Sequence, residues 1–570
     1  MRTRELPPPK GLMDQLGRVV DQVVGVFSPV AQERRLAARV RSTMLSGVYR
    51  SARSDRTQRD WITGGISLSA DGALLGDLET ARERCRELTR DNAIARSIIR
   101  VMVDNVVGPG LRLQSRVDAE ALEITEEQAQ RFQVSAERVF RRSVPYLDST
   151  MRLDWYGLQA LAFQRVCEDG EVLAVPTLVK ERNRPFETAI ELVEGDRLRT
   201  PNSSDISVDE QRQIRSGVQL GVRGQPLAYW IQRTHPGDRM LGLGPQRREF
   251  VRLPQWGPFG LRRVMHVYRP ARPGQTRGEP MLIVVTDDLK DLGEFEESAA
   301  MAARIESCFS AFISRNDPYA AQVGATYATD SEGNRIEAIE PGMIEYLGPG
   351  ESVTFGDPKR PGANFAPYVL HKIRRCGAGV GLPLELVFCD FQKVTFTSGR
   401  MAVLEAGRMF RRWRAMLVER FCQPTYELLL AEAAGKDLLE LPPGRDFFAD
   451  RDLWSGTRWI EPSRGWIDPR VEVDASTGAI QGQLSTQADE CGAQGRDWEE
   501  VQDQLLREEL RWKRRREELG LTSPTPPPPA PVGDAPDDGD EDQADDVTDG
   551  EDQGAPADDE ASVDDESEAA

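Results

Sequence analysis

The sequence predicts an α+β fold that is predominantly helical. Three long stretches, 76–107, 280–313 and 398–422, repeat apolar side chains at helical spacing among charged residues. Short runs rich in β-branched and aromatic residues cluster between 171 and 268, separated by turn-forming residues. The 570 residues exceed what one ordinary hydrophobic core holds, so several structural parts are expected.

The first half of the chain alternates helices and strands. Gly108-Pro109-Gly110 should end the helix 76–107, because glycine accepts the left-handed cap geometry and proline cannot continue a helix. The further helices predicted in this half are 119–143 and 155–166. The predicted strands are 111–115, 171–179, 190–193, 217–222, 227–233 and 264–268.

The second half begins with the long helix 280–313, whose apolar residues step by three and four along one face. Acids in its first half, Asp287, Asp288 and Asp291 among them, suit a helix start; a metal site or a surface that repels phosphate are the alternatives. Short strands and turns fill 314–355, loops and short strands fill 435–474, and a last amphipathic helix covers 496–519.

The stretch from Gly356 to Cys422 is predicted to be a mechanical element with two helices and an exposed loop between them. The first helix runs from about Phe365 to Val380 and carries Lys372, Arg374 and Arg375. The residues expected to break this helix and to act as a hinge are Gly377, Gly379, Gly381 and Pro383. Pro424 should end or kink the second helix.

Charge is distributed unevenly along the chain. Residues 534–568 contain 18 acidic residues and no Lys or Arg, so the net charge of −20 becomes −2 for residues 1–533. The acidic tail, together with the Pro-rich linker that begins at residue 522, should be disordered. Residues 1–75 form a basic arm, which could neutralise phosphate or be a solvated leader.

No cofactor, metal or catalytic set is predicted. The seven cysteines are scattered without CxxC spacing, and the three histidines lie far apart in the sequence. The sequence contains no P-loop, HExxH or GxSxG motif, so an enzymatic role is not expected. No apolar run reaches the ~20 residues that span a bilayer, so no membrane partner is expected either.

Six separated segments carry a family resemblance. They are RDNAIARSIIRVMVDNVVGPGLRLQSR (90–116), WYGLQALAFQRVCEDGEVLAV (155–175), HVYRPARPGQTRGEPML (266–282), LGEFEESAAMAARIESCFSAFI (292–313), PGMIEYLGPGESVTFGDPKRPGANF (341–365) and GLPLELVFCDFQKVTFTSGRMAVLE (381–405). In this order they resemble the lambda-type portal proteins of tailed bacteriophages. The basic arm and the acidic tail match no part of that pattern.

The resemblance implies a homo-oligomeric ring of twelve subunits at one capsid vertex. It implies a channel through which terminase packages double-stranded DNA and through which the DNA is later ejected. The implied partners are the terminase large subunit, the major capsid and scaffold proteins, and the head-completion or neck proteins. The implied location is the virion, after assembly in the host cytoplasm. The alternative is a phage DNA-processing enzyme, such as a nuclease or a terminase-like subunit, which would need a metal-binding carboxylate set or a P-loop.

The same resemblance divides the chain into the parts of a portal subunit. These parts are a wing (76–279), a first stem helix (280–313), a clip (314–355), a second stem helix with its hinge (356–387), a tunnel loop (388–397), a wing helix with packing loops (398–474) and a crown helix (475–521). The tunnel-loop residues expected to face DNA are Phe388, Asp390, Phe391, Gln392, Lys393, Thr395 and Phe396. Lys372, Arg374 and Arg375 are expected to face DNA from the stem.

Overall fold

The computed structural model describes residues 68–201, 207, 213–240, 249–307, 311–314, 344–347, 365–391, 394–463, 465 and 468–520. The helices are α1 (Ala70–Leu74), α2 (Leu78–Asp91), α3 (Ala93–Val106), α4 (Glu126–Ser143), α5 (Trp155–Asp169), α6 (Pro236–Met240), α7 (Thr286–Ser307), α8 (Phe365–Val380), α9 (Leu384–Phe388), α10 (Phe396–Leu417), α11 (Gln423–Gly435), α12 (Arg451–Trp454), α13 (Pro469–Gln481), α14 (Gln487–Ala493) and α15 (Trp498–Glu518). The strands are β1 (Arg112–Ser115), β2 (Glu171–Leu178), β3 (Thr188–Glu194), β4 (Ile214–Arg215), β5 (Val218–Leu220), β6 (Pro226–Gln232), β7 (Phe250–Pro254), β8 (Met265–Tyr268), β9 (Ala311–Ser314), β10 (Ile344–Leu347) and β11 (Thr457–Ile460). The prediction of a mainly helical α+β fold is confirmed.

The predicted helix 76–107 is two helices, because Asn92 leaves the helical conformation (φ −109°, ψ 121°). Its side-chain oxygen accepts hydrogen bonds from the N–H groups of Ile94 and Ala95, which caps α3. Its side-chain amide donates to the carbonyl of Leu289 in α7, 3.3 Å away. A contact with a residue 197 positions away therefore fixes the break between α2 and α3.

Most of the described strands form small antiparallel sheets beside the helices. β2 is the centre of a three-stranded sheet in the order β3-β2-β8, with Ala174 opposite both Leu192 and Met265. β4, β5, β6 and β7 form a second sheet in sequential order. β1 pairs with β11, so residues 112–115 are joined to residues 457–460 near the other end of the described chain.

The main core lies between α3, α5 and the long helical segment that begins with α10. Trp155 stacks on Phe421 with ring centroids 5.0 Å apart, and Trp454 packs against Phe132 at 4.6 Å. A π turn, Val418–Cys422, joins α10 to α11, so helical structure continues through Pro424. Pro424 therefore does not end the helix, and the kink that was the other predicted outcome stays a prediction; the wider turn accommodates a residue that lacks the N–H of an α-helix.

Other boundaries differ from the sequence prediction. In place of one helix over 280–313, a 3₁₀ turn (Met281–Val284) precedes α7, and Ala311–Ser314 is a strand parallel to β10. The segment 475–521, predicted as a crown helix, holds the end of α13 together with α14 and α15. The chain divides into two compact units, residues 1–500 and residues 501–570. None of the described helices is long and apolar enough to cross a membrane.

Candidate functional site

The helical pair α7–α8 is held together by a shared carboxylate. Asp288 of α7 lies 2.8 Å from the Lys372 ammonium and 2.9 Å from the Arg375 guanidinium, and Asp291 lies 3.3 Å from Lys372. The hydrogen bond to Asp288 raises the pKa of Lys372. Two of the three cations expected to face DNA are thus paired with acids of α7, whereas Arg374 forms no ion pair with a described residue. Asp288 and Asp291 at the start of α7 therefore serve as ion-pair partners.

Aromatic and apolar contacts continue the packing of α7 on α8. Phe295 stacks on Phe365 with ring centroids 5.5 Å apart and also packs against Tyr368 at 4.6 Å. Nearer the core, Ile373 and Cys376 are fully buried. The pair therefore has an apolar seam with its ion pairs beside it, which is the pattern expected of a stable two-helix arrangement.

The predicted hinge glycines have two different roles. Gly377 and Gly379 lie inside α8 and do not break it: a Cβ at Gly379 would approach Val285 Cγ1 to 2.5 Å, and one at Gly377 would approach the Leu382 carbonyl oxygen to the same distance. Gly381 ends the helix with φ +85°, a conformation that favours glycine. Its N–H and that of Leu382 both donate to the Gly377 carbonyl at 2.8 Å.

The predicted tunnel loop lies between α9 and α10. Pro383 precedes the first residue of α9, and the Ser97 hydroxyl of α3 donates to the Val387 carbonyl at 2.7 Å, which anchors this short helix to the core. Phe388 at the end of α9 and Phe391 in the loop are exposed. The Asp390 side chain is partly buried.

The second part of the loop leads into α10. Gln392 and Lys393 lie outside the described residues. Thr395 caps α10 by accepting a hydrogen bond from the Ser398 N–H at 3.3 Å, and Phe396 is the first residue of that helix. The beginning of α10 then presents Met401 and Leu404 to solvent, with 67% and 56% of each residue exposed.

A buried charge network that the sequence did not reveal lies at the start of β2. The Glu171 carboxylate accepts hydrogen bonds from Arg82 (2.6 Å), Arg277 (2.7 Å), the His266 ring (2.9 Å) and the Gly278 N–H (2.8 Å). Burial opposes ionisation of Glu171, but the charges of Arg277 and Arg82 and the hydrogen bond from His266 outweigh it and hold its pKa well below the usual range. Burial is also the main cause of the lowered pKa of His266.

This network joins six segments of the chain, around residues 82, 169–171, 195–198, 216, 266 and 277. The Arg277 guanidinium also donates to the carbonyls of Leu198, Ser216 and Gly195, and Arg82 donates to that of Asp169. The sequence contains one indication of this network: charged residues lie close to apolar strand residues in CEDGEVLAV and in QTRGEP. Glu171, Arg82 and Arg277 are almost completely buried, so the network supports the structure.

One group in the described ranges has the residue types of a metal site: Glu194, Asp196 and His235. His235 Nε2 lies 3.3 Å from a Glu194 oxygen and 3.8 Å from an Asp196 oxygen. However, the Gly237 N–H donates to His235 Nδ1 at 3.1 Å, so in the neutral ring Nε2 carries the proton and cannot bind a metal. Asp196 also pairs with Arg86. The group is thus explained by ion pairing.

The sequence is similar to that of known proteins over most of its length. The model of the family "Phage portal protein, lambda family" matches residues 54–414. The "Probable portal protein" of Halomonas phage phiHAP-1 is 24% identical over 523 residues, covering 90% of this chain and 94% of that protein. "Portal protein B" of Escherichia phage lambda is 24% identical over 467 residues, covering 78% and 86% respectively. The "Portal protein" of Escherichia phage N15 is 23% identical over 481 residues, covering 80% and 88%.

Two solved structures show a more distant similarity. A chain in the neck of an empty gene transfer agent particle, computed with C6 symmetry, has a TM-score of 0.34 and 11% identity, covering 72% of this chain and 93% of that one. A chain in the neck of the native particle, computed with C12 symmetry, has a TM-score of 0.33 and 10% identity, covering 74% and 93%. The family match alone extends over more than half of the sequence, and the family predicted from the six segments is confirmed: this chain belongs to the lambda family of phage portal proteins.

Proposed function

We propose that the chain forms a ring of twelve subunits at one vertex of the capsid and that double-stranded DNA passes through its channel. The observation that carries this proposal is the match of the portal family model to residues 54–414. The exposed apolar residues of α10, Met401 and Leu404, support it, because a closed ring needs two different contact faces on each subunit. Residues of this kind are typical of surfaces that a second subunit covers.

Each part of the ring corresponds to a segment of the chain. Helices α7 and α8 are the stem, residues 314–355 are the clip, and residues 388–397 are the tunnel loop. The segment from 76 to 279 and the helix α10 with the residues that follow it form the wing. Residues 475–521 form the crown. The fixed start of α10 at Thr395 and the anchored α9 support this assignment, because they hold both ends of the loop in place.

Weak contact with DNA is the chemical requirement of such a channel. Each Lys or Arg that pairs with phosphate strengthens binding, so a conduit through which DNA slides should have few free cations. Asp288 pairs with Lys372 and Arg375, which leaves Arg374 as the one of the three predicted cations that forms no ion pair with a described residue. The contacts with DNA are then made by Arg374, by the loop aromatics Phe388 and Phe391, and by Lys393.

The ring would act without catalysing a reaction. Its partners are the terminase large subunit during packaging, the major capsid and scaffold proteins during assembly, and the head-completion or neck proteins afterwards. It would assemble in the host cytoplasm and remain in the virion. The named relatives are portal proteins, and no observation on the described residues favours a nuclease or a terminase-like enzyme.

The size and shape of the purified protein test this proposal. Because one subunit has a mass of 63.7 kDa, light scattering should report about twelve times that mass, and negative-stain images should show a ring with a central hole. A double variant, Met401→Ser with Leu404→Ser, should shift the protein towards monomers if α10 lies in the subunit contact. A monomeric wild-type protein that cleaves DNA with Mg²⁺ would refute the proposal and favour the enzyme.

A further inference from the structure

Helix α15 divides its charges between its two ends. The first half carries acids such as Glu499, Glu500 and Asp503, whereas five of the six residues from 511 to 516 are basic. Arg511, Arg514 and Arg515 recur at spacings of three and four, so they share one face of the helix. A face of this kind attracts polyanions.

This basic face is largely unpaired in the part of the chain that the structure describes. Arg515 lies 2.9 Å from Glu518, and Arg507, one turn earlier, lies 3.5 Å from Asp503. No carboxylate of the described residues forms an ion pair with Arg511 or Arg514, and both side chains are exposed. The face is therefore open to an anionic partner.

The nearest polyanion in the sequence is the chain's own C-terminal tail. Residues 534–568 contain 18 acidic residues and no cation, and they follow α15 after the thirteen residues 521–533. A segment of that length can span up to ~45 Å when fully extended, at about 3.3–3.6 Å per residue. The basic face lies within ~15 Å of the helix end at 1.5 Å per residue, so the tail can reach it.

We propose that the acidic tail, residues 534–568, binds the basic face of α15 and competes with nucleic acid for it. Because the tail is part of the same chain, its binding to the basic face is intramolecular. A free anion in solution would have to match the effective concentration of the tail in order to compete with it. Both partners lie in the unit 501–570 of one chain, so the contact can form within a single subunit. The tail would thus keep a basic surface from holding DNA.

The experiment compares the full-length wild type with a full-length neutral-tail variant in which the 18 acids become Asn or Gln. Fluorescence anisotropy with a labelled 30-base-pair duplex measures the affinity at 50 mM and 200 mM salt. The neutral-tail variant should bind the duplex about tenfold more tightly at 50 mM salt, and the difference should shrink at 200 mM because screening weakens both contacts. A synthetic peptide of residues 534–568 should displace the duplex from this variant.

Charge reversal on the helix separates the proposed contact from general repulsion of DNA by the tail. With Arg511→Glu and Arg514→Glu, neutralising the tail should change the affinity for duplex by less than twofold. The matched control, Arg96→Glu with Arg100→Glu, reverses two exposed cations on α3 and should retain the tenfold gain. Equal affinities of wild type and neutral-tail variant, or a gain that survives in the α15 double variant, would overturn the proposal. Negative-stain images of the same samples report separately on the ring.

Discussion

Replacement of Glu171 by Gln is the sharpest test of the buried charge network. The substitution preserves shape but removes the one negative charge between Arg82 and Arg277, whose side chains are only 1% and 2% exposed. Because the loss of one partner of a buried ion pair leaves an uncompensated charge, we expect a loss of about 3–5 kcal/mol in the free energy of unfolding. The upper end of this range is expected, since one carboxylate serves two guanidinium groups.

Equilibrium urea unfolding, followed by tryptophan fluorescence, measures this loss. The control Glu405→Gln breaks an exposed pair with Arg408, whose side chains are 74% and 73% exposed, and should cost less than about 1 kcal/mol. Glu171→Asp retains the charge and should cost less than Glu171→Gln, which keeps the comparison informative if the Gln variant does not fold.

The pH dependence of the same variants gives a second measurement. The pKa of Glu171 is lower in the folded state than in the unfolded state, so its contribution is complete above about pH 4.5 and is lost as the pH falls through the folded-state pKa. The difference between wild type and Glu171→Gln should thus stay constant from pH 7 to 8, where His266 is neutral in both the folded and the unfolded state. A difference below about 1 kcal/mol across this range would show that the network does not hold its segments together.

Two further predictions concern packing and pH. Gly379→Ala places a Cβ 2.5 Å from Val285 and should destabilise the protein by about 1–3 kcal/mol. The control, Gly407→Ala in α10, meets no atom within 4 Å and should stabilise the protein by about 0.5–1 kcal/mol. Thermal unfolding of both variants measures the two effects. Burial raises the pKa of Glu137 to about 7, so the free energy of unfolding falls as pH rises from 5 to 8. Glu137→Gln should stabilise the protein by about 1–3 kcal/mol at pH 8 and by little at pH 5; equal effects at both pH values would contradict this.

Local signals in the sequence predicted elements well where the residues that fix them are close together. Helix α8 begins and ends at Phe365 and Val380 as predicted, because Gly381 follows in the left-handed conformation that ends the helix. The strand over 171–179 agrees with β2 to within one residue, because Gly170 ends the preceding helix and apolar β-forming residues follow. Periodicity and turn residues are sufficient in such cases.

Contacts between residues far apart in the sequence fix the features that hydrophobic periodicity could not predict. Asn92 interrupts an unbroken helical pattern because a carbonyl of α7 binds its side chain. Lys372 reads as an exposed cation in the sequence, yet its acidic partner Asp288 lies 84 positions earlier. Glu171 reads as an ordinary polar residue at the start of a strand, and only folding brings Arg82, His266 and Arg277 around it. Pairings between distant segments leave no periodic pattern in a single sequence.

The π turn Val418–Cys422 adds one residue to the long helical segment without changing its phase. A π turn contains one residue more than the α turn it replaces, and each completes about one full rotation of the helix. Deleting a single residue here would therefore convert the π turn into an α turn and leave α10 and α11 with their buried sides aligned. Phe410 and Tyr426, both buried now, would stay on the same side. The same deletion in the middle of α10 would rotate all later helical residues by about 100° and turn their buried side away from the core.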